Sequence, residues 1–144
     1  MNKNLKSVIR TYEKKGIVHE VKGKDIVHAA RLGERGAPVI QRVSTSKESI
    51  AIYTIAPLTI GEMDIPAASM MIMRVNNGLR LGSFFIDEEG TVVFRSGIFT
   101  GKHAVDAKEL MFHLTMGAFL VDNYLDEFKG CCSSPSYGKA PMYG

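Results

Sequence analysis

The chain has 144 residues, a formal net charge of +3 at pH 7, and a composition of 45% hydrophobic and 23% charged residues. This length suits one domain with a single core, and this composition excludes a disordered or fibrous chain. The charge is too mild for a dedicated nucleic-acid binder, and the longest apolar runs fall far short of the roughly 18 residues that span a bilayer. The charged N-terminus is not followed by the apolar segment of a signal peptide, so we expect a soluble, cytoplasmic protein that does not bind membranes.

The first predicted element is an amphipathic helix from Asn4 to Lys15, which stops at Gly16. Its apolar residues recur at three- and four-residue spacing. A second stripe on this helix is basic and consists of Lys3, Lys6, Arg10 and Lys14. We interpret the basic stripe as a solvated outer face, and contact with nucleic-acid phosphates is the alternative.

From Ile17 onward the apolar period changes to two, which predicts four strands over residues 17–21, 25–30, 38–45 and 49–56. Both alternating residue sets of the fourth strand are largely apolar. We therefore expect that strand to be central in its sheet and covered on both faces. Residues 57–66, with two prolines and a glycine, are expected to form a loop.

The second half predicts a helix, a hairpin and a long helix. The first of these helices covers residues 67–76 and ends in Asn76-Asn77-Gly78. The hairpin joins residues 82–87 to residues 91–95 through Glu88-Glu89-Gly90, and Asp106 caps a last helix over residues 107–128. We expect residues 1–130 to form one domain and residues 131–144, rich in Gly, Ser and Pro, to form a flexible tail.

The last helix carries two apolar sets, although one sheet requires only one. The set expected to face the sheet is Leu110, Leu114, Ala118, Val121, Leu125 and Phe128. The second set is Met111, Phe112, Met116, Phe119 and Leu120. This second set has three possible partners, namely the rest of the domain, a twin subunit or a bound peptide.

No motif of catalysis, cofactor binding or metal binding occurs, so we predict no catalytic residue, no cofactor and no metal. The scattered histidines are expected to face solvent or lie at the core edge; they are His19, His28, His103 and His113. The carboxylates are interpreted as turn residues (Asp87, Glu88, Glu89) and as a polar helix face (Asp122, Asp126, Glu127). Adjacent Cys131 and Cys132 do not suit a disulfide, and metal or redox chemistry there has little support.

The segment from Met73 to Gly78, the hairpin from Gly82 to Phe94 and the long helix together resemble the YbjN family. The resemblance spans about residues 5–128 and is specific from about residue 70. It implies an α+β fold similar to type III secretion chaperones, which are often dimeric and wrap an extended segment of a partner. The implied element order is α-β-β-β-(β)-α-β-β-α, with helices packed on an antiparallel sheet of about five strands. Family members are described as sensory transduction regulators, a description that names no reaction.

The leading hypothesis is a non-enzymatic, homodimeric protein: a chaperone-like or regulatory module that binds an extended or helical partner segment. Its predicted binding surface combines the sheet face with the second apolar side of the last helix, where the predicted binding residues are Phe112, Met116, Phe119 and Leu120. The alternative is a regulator that binds nucleic acid through the basic first helix. A third hypothesis, an enzyme with an unrecognised site, would need distant groups such as His28 and Asp64 to meet.

Overall fold

The computed structural model describes residues 1–132, which fold into three α-helices and six strands. The helices are α1 (Lys3–Lys15), α2 (Ile65–Asn77) and α3 (Ala107–Lys129). The strands are β1 (Glu20–Lys22), β2 (Asp25–Arg31), β3 (Pro38–Thr45), β4 (Ser49–Thr59), β5 (Ser83–Ile86) and β6 (Thr91–Phe99). The α+β class and the element order agree with the prediction, and within this range the sheet has six strands rather than about five.

The sheet is antiparallel throughout, with strand order β1-β2-β3-β4-β6-β5. Strand β4 is central, as predicted, but the expectation that both of its faces are covered is wrong. Ile50, Ile52 and Thr54 are buried, whereas Ala51 and Tyr53 on the other face are half-exposed. The reason is that all three helices pack on one face, which we call the covered face. The opposite side is the open face.

The covered face holds the hydrophobic core. All six residues of the predicted sheet-facing stripe of α3 are buried there, which confirms that prediction. The middle of α3 comes close to the sheet because residue 117 is glycine, and a Cβ at Gly117 would overlap the Thr54 hydroxyl oxygen. One small residue therefore decides how tightly α3 lies on β4.

Local sequence signals explain most element ends. The side-chain amide oxygen of Asn2 accepts a hydrogen bond from the Leu5 N–H at 2.7 Å. At the other end of α1, Gly16 terminates the helix with a φ of 70°. Asp106 accepts from the N–H groups of Lys108 and Glu109, so it caps α3 as predicted.

Four boundaries differ clearly from the prediction. Strand β6 continues to Phe99 rather than ending at residue 95, because Phe99 still pairs with Ser49. The first strand is only Glu20–Lys22, because this stretch is an exposed sheet edge and Val18 is 91% exposed. Strand β4 continues to Thr59, into the expected loop, because Thr59 still pairs with Thr91 beyond an irregularity in the register. Helix α2 begins at Ile65 and runs to Asn77, with Pro66 in its first turn.

The C-terminal prediction falls partly outside the described residues. Cys131 and Cys132 follow α3 in a turn and pack, half-buried, against the core. The predicted flexible tail from residue 133 onward lies outside the described range. Within that range, no helix has both the length and the hydropathy needed to cross a membrane.

Candidate functional site

A buried polar network crosses the covered face and joins α1, three strands and α3. Tyr12 Oη lies 2.8 Å from His28 Nδ1, and His28 Nε2 lies 2.9 Å from Gln41 Oε1. Because an amide oxygen only accepts, His28 Nε2 donates to Gln41 and His28 Nδ1 accepts from the Tyr12 hydroxyl. The Gln41 amide nitrogen then donates to Thr54 Oγ1 at 2.9 Å and to the Leu114 carbonyl at 2.8 Å.

The electrostatics of this network keep it neutral. Burial lowers the pKa of His28, the hydrogen bond with Gln41 partly opposes that shift, and the charge of His19 adds to it. Burial likewise raises the pKa of the Tyr12 hydroxyl above its ordinary value. Both ring nitrogens of His28 serve this network, which does not include Asp64, so the His28–Asp64 pair of the enzyme hypothesis is not assembled.

His113 makes a similar buried contact, with its Nδ1 2.8 Å from Ser96 Oγ. Burial lowers the pKa of His113, and the charge of Glu109 acts in the opposite direction. His28 and His113 are each 7% exposed, so the expectation of solvent-facing or core-edge positions is wrong for these two. It holds for half-buried His19 and exposed His103.

Asp122 is a buried carboxylate, not part of the polar helix face that was expected. Its Oδ1 accepts from the Ala37 N–H at 2.8 Å and its Oδ2 from the Arg35 N–H at 3.1 Å. Arg35 also pairs with exposed Asp126, Nε to Oδ2, at 2.9 Å. These bonds hold the β2–β3 loop on α3. Among residues 1–132, no group of three or more His, Cys, Asp and Glu side chains is arranged to hold a metal ion.

Asn76 has a role that sequence reasoning missed. Its amide nitrogen donates to the Phe84 carbonyl at 3.0 Å, and its side-chain oxygen accepts from the Phe84 N–H at 2.8 Å. These backbone groups of β5 would otherwise be open for pairing with another strand. The end of α2 therefore closes this sheet edge at Phe84, and the other edge, β1, is only three residues long.

The hairpin carboxylates behave as turn residues. Asp87 Oδ1 accepts from the N–H groups of Glu89 and Thr91, each at 2.9 Å, and Gly90 has a φ of 86°. The turn interpretation of Asp87 is thus confirmed.

The outer face of α3 exposes two of the predicted binding residues. Phe112 is 53% exposed and Phe119 is 48% exposed, whereas Met116 and Leu120 are half-buried and contact the core. At 3.6 residues per turn, residues 112, 116 and 119 lie on one side of the helix, opposite the buried stripe. We call Phe112, Met116 and Phe119 the outer stripe.

The open face of the sheet carries a second exposed surface, arranged in rows across the strands. The strand registers align five apolar residues into one row, which we call the apolar row: Ala29, Ile40, Ile55, Val93 and Phe85. The next row, the arginine row, consists of Arg42, Tyr53 and Arg95. The sheet face belongs to the predicted binding surface, but its residues were not predicted, because the sequence indicated that β4 is covered on both sides.

The predicted basic stripe lies on α1. Lys6, Arg10 and Lys14 are exposed at four-residue spacing, which places them along one side of the helix, and Lys3 is half-buried. Within the described part of the chain none of these four forms an ion pair.

The thiol of Cys132 is poorly suited to nucleophilic chemistry. Burial raises the pKa of the Cys132 thiol, and the charges of Asp64 and Cys131 raise it further. Since the thiolate is the reactive form, these shifts disfavour reactivity at neutral pH.

Comparisons with known proteins agree with the fold. The crystal structure of YbjN from E. coli, a protein described there as "a putative transcription regulator", superposes on this chain with a TM-score of 0.58 and 9% sequence identity. The match covers 86% of this chain and 87% of that one. No curated protein matches the sequence. The model of the YbjN family, described as "Putative bacterial sensory transduction regulator", matches residues 4–130. The chain therefore belongs to the YbjN family.

Proposed function

We propose that this chain is a non-enzymatic, protein-binding regulator that forms a homodimer through the outer stripe of α3. The observation that carries the proposal is the exposure of Phe112 and Phe119, on the side of α3 that faces away from the core. Exposed aromatic residues that lie together on a helix are typical of protein contacts, where they become the residues that stabilise the complex.

The outer stripe suits a second copy of the chain. A two-fold contact pairs a helix with itself in antiparallel orientation, so Phe112 of one copy approaches Phe119 of the other around Met116. The same pairing brings Lys108 near the acidic C-terminal end of the second α3, where Asp126 and Glu127 lie. Opposite charges at the two rims and antiparallel helix dipoles both favour this arrangement. Half-buried Leu120 lies beside the stripe and completes the predicted set.

The described polar groups support a non-enzymatic function. The buried side chains on the covered face bond to one another, and the Cys132 thiol has a raised pKa, so neither offers an activated group to a substrate. The family description names a regulator and no reaction. A cytoplasmic location stays a prediction from the sequence.

Light-scattering chromatography of wild type, Phe119→Asp and Phe99→Asp tests the dimer. Wild type is expected at twice the mass of one chain, and Phe119→Asp at the mass of one chain, because a carboxylate would be buried unpaired in the contact. Phe99→Asp, which changes a still more exposed aromatic residue on the open face, is expected to remain dimeric. A monomeric wild type, or a folded Phe119→Asp that stays dimeric, would refute the proposed contact. Circular dichroism shows whether each variant is folded.

Binding of nucleic acid through Lys3, Lys6, Arg10 and Lys14 is the second candidate, favoured by the absence of ion pairs to these residues among residues 1–132. It predicts binding that weakens as salt increases and when these residues are changed to alanine. Equal binding at low and high salt would refute it.

A further inference from the structure

We propose that the open face binds an extended segment of a partner protein in which one carboxylate side chain is flanked, two residues away on each side, by apolar side chains. This inference rests on the proposed function, since it names the kind of protein segment that the regulator binds. It concerns a surface separate from the outer stripe of α3.

Arg95 is the residue that would bind the partner's carboxylate. The other arginine of the row, Arg42, already has partners: its guanidinium lies 3.3 Å from Asp25 Oδ2 and 4.3 Å from the centre of the Tyr53 ring. Arg95 is exposed and has no ion pair within residues 1–132. A carboxylate is the group that an arginine fork binds with good geometry.

Two hollows, each lined partly by apolar side chains, lie on either side of Arg95. A cavity of about 710 Å³ has Leu81, Phe85 and Phe99 in its lining, together with the small residues Ala51 and Gly97. A second cavity of about 370 Å³ lies where the arginine row meets the apolar row, and its lining combines Tyr53, Ile55 and Phe85 with the charged side chains of Arg42, Arg95 and Asp87. Phe99, 80% exposed, forms one wall of the larger hollow. Burial of partner side chains in these hollows would remove this apolar surface from water.

The spacing of the rows gives the spacing of the partner residues. Neighbouring rows on one strand face are two residues apart, about 6.8 Å at about 3.4 Å per residue. Alternate side chains of an extended peptide have the same separation. A segment lying along β6 can therefore place an apolar side chain against half-buried Ile55 and Phe85, which flank buried Val93. It can then place a carboxylate on Arg95 and a second apolar side chain over Gly97.

Two other occupants fit less well. A second copy of the chain, docked face to face, would bring arginine rows of like charge together. A single-stranded nucleic acid could stack a base on exposed Phe99, but it also needs a basic groove along its phosphates, and Arg42 is already paired with Asp25. Pairing with a sheet edge is hindered at Phe84 by the Asn76 side chain. The protein segment remains the best match to charge and shape.

The test is an NMR titration of the ¹⁵N-labelled full chain with a synthetic peptide, Ser-Leu-Thr-Glu-Thr-Leu-Ser, acetylated and amidated to remove the terminal charges. The matched peptide has Lys in place of Glu. The protein variants are Arg95→Glu and, as a control with the same charge change on exposed α2, Arg74→Glu.

The Glu peptide is expected to shift amide signals of β4, β5 and β6 and to bind wild type and Arg74→Glu equally. Arg95→Glu is expected to weaken its binding about tenfold or more and to bind the Lys peptide better than the Glu peptide. Equal affinity of wild type for the two peptides would overturn the inference. So would the absence of shifts at about 1 mM peptide, shifts confined to α3, or shifts of the same strands by oligothymidylate that Arg95→Glu abolishes.

The titration separates this inference from the proposed dimer. It is repeated on Phe119→Asp, whose open face is intact. Peptide binding by a chain that is monomeric in every form would support the inference while the dimer contact failed. A dimer that Phe119→Asp splits, combined with no peptide binding, would overturn the inference alone.

Discussion

Neighbouring residues of β4 show how differently the two faces of one sheet are used. Ile52 is 1% exposed and packs under the helices, whereas Tyr53, the next residue, is half-exposed beneath the guanidinium of Arg42. On the covered face, polar groups such as Gln41 are buried and bonded to one another. On the open face, Arg95 is exposed without an ion pair in the described chain. The comparison teaches that a polar residue of this sheet is either buried in a hydrogen-bond network or left exposed to solvent, depending on which face it occupies.

The largest expected difference between the faces is in apolar packing. Ile52→Ala is expected to lower the free energy of unfolding by about 2–5 kcal/mol, because it leaves a cavity under α3. Ile55→Ala, on the same strand but half-exposed on the open face, is expected to cost about 1 kcal/mol or less. Urea unfolding measures both. Equal losses would mean that the open face is as well packed as the covered face and would break the comparison.

Substituting a glycine on each face is expected to give a smaller difference in stability between the two faces. Gly117→Ala would push a Cβ into the Thr54 hydroxyl and is expected to cost about 1–3 kcal/mol, despite the better helix propensity of alanine. Gly97→Ala meets only the Ile50 carbonyl oxygen, at 3.5 Å, and is expected to change stability by about 0.5 kcal/mol or less. Thermal unfolding compares the two variants with wild type. A neutral Gly117→Ala would show that α3 can move away from Thr54 without loss.

The smallest expected effect is a pH dependence that comes from the covered face. Because burial lowers the pKa of His28, the folded chain binds fewer protons than the unfolded chain. The stability that this neutral histidine contributes is complete above about pH 6.5 and is lost as the pH falls below that value. The urea concentration at the unfolding midpoint of wild type is therefore expected to decrease when the pH is lowered from about 7.5 to about 5.5.

Two histidine variants test the origin of that slope. His28→Gln is expected to flatten it, leaving the part that belongs to His113, whose pKa is also lowered by burial. His103→Gln, which changes an exposed histidine, is expected to keep the wild-type slope. A slope that is the same in all three proteins would assign the pH dependence to other groups.

Local patterns were sufficient to predict most of the elements. Asp106 caps α3 through short-range hydrogen bonds as predicted, and Gly16 and Gly90 adopt the left-handed conformation that their positions required. The Asn2 cap of α1 was not predicted, although it too depends on a short-range hydrogen bond. The buried stripe of α3 follows from its periodicity. The same periodicity indicates the second apolar set but does not decide its partner: Met116 and Leu120 pack against the core, whereas Phe112 and Phe119 are exposed.

The roles of polar residues were harder to predict. His28, Asp122 and Asn76 find their partners 13, 85 and 8 residues away, respectively, and each sequence neighbourhood resembles an ordinary surface. The Arg42–Tyr53–Arg95 row needs the register of three strands, and no local signal sets that register.

The sequence by itself determined the α+β class, the element order, the element ends that depend on caps and glycines, and the family. These depend on periodicity and on hydrogen bonds between residues close in the chain. Only the tertiary structure decided which face of the sheet the helices cover, because both alternating sets of β4 are apolar and either could have formed the core. That choice buried Ile52 and Thr54, and it left Tyr53 and its flanking arginines facing outward.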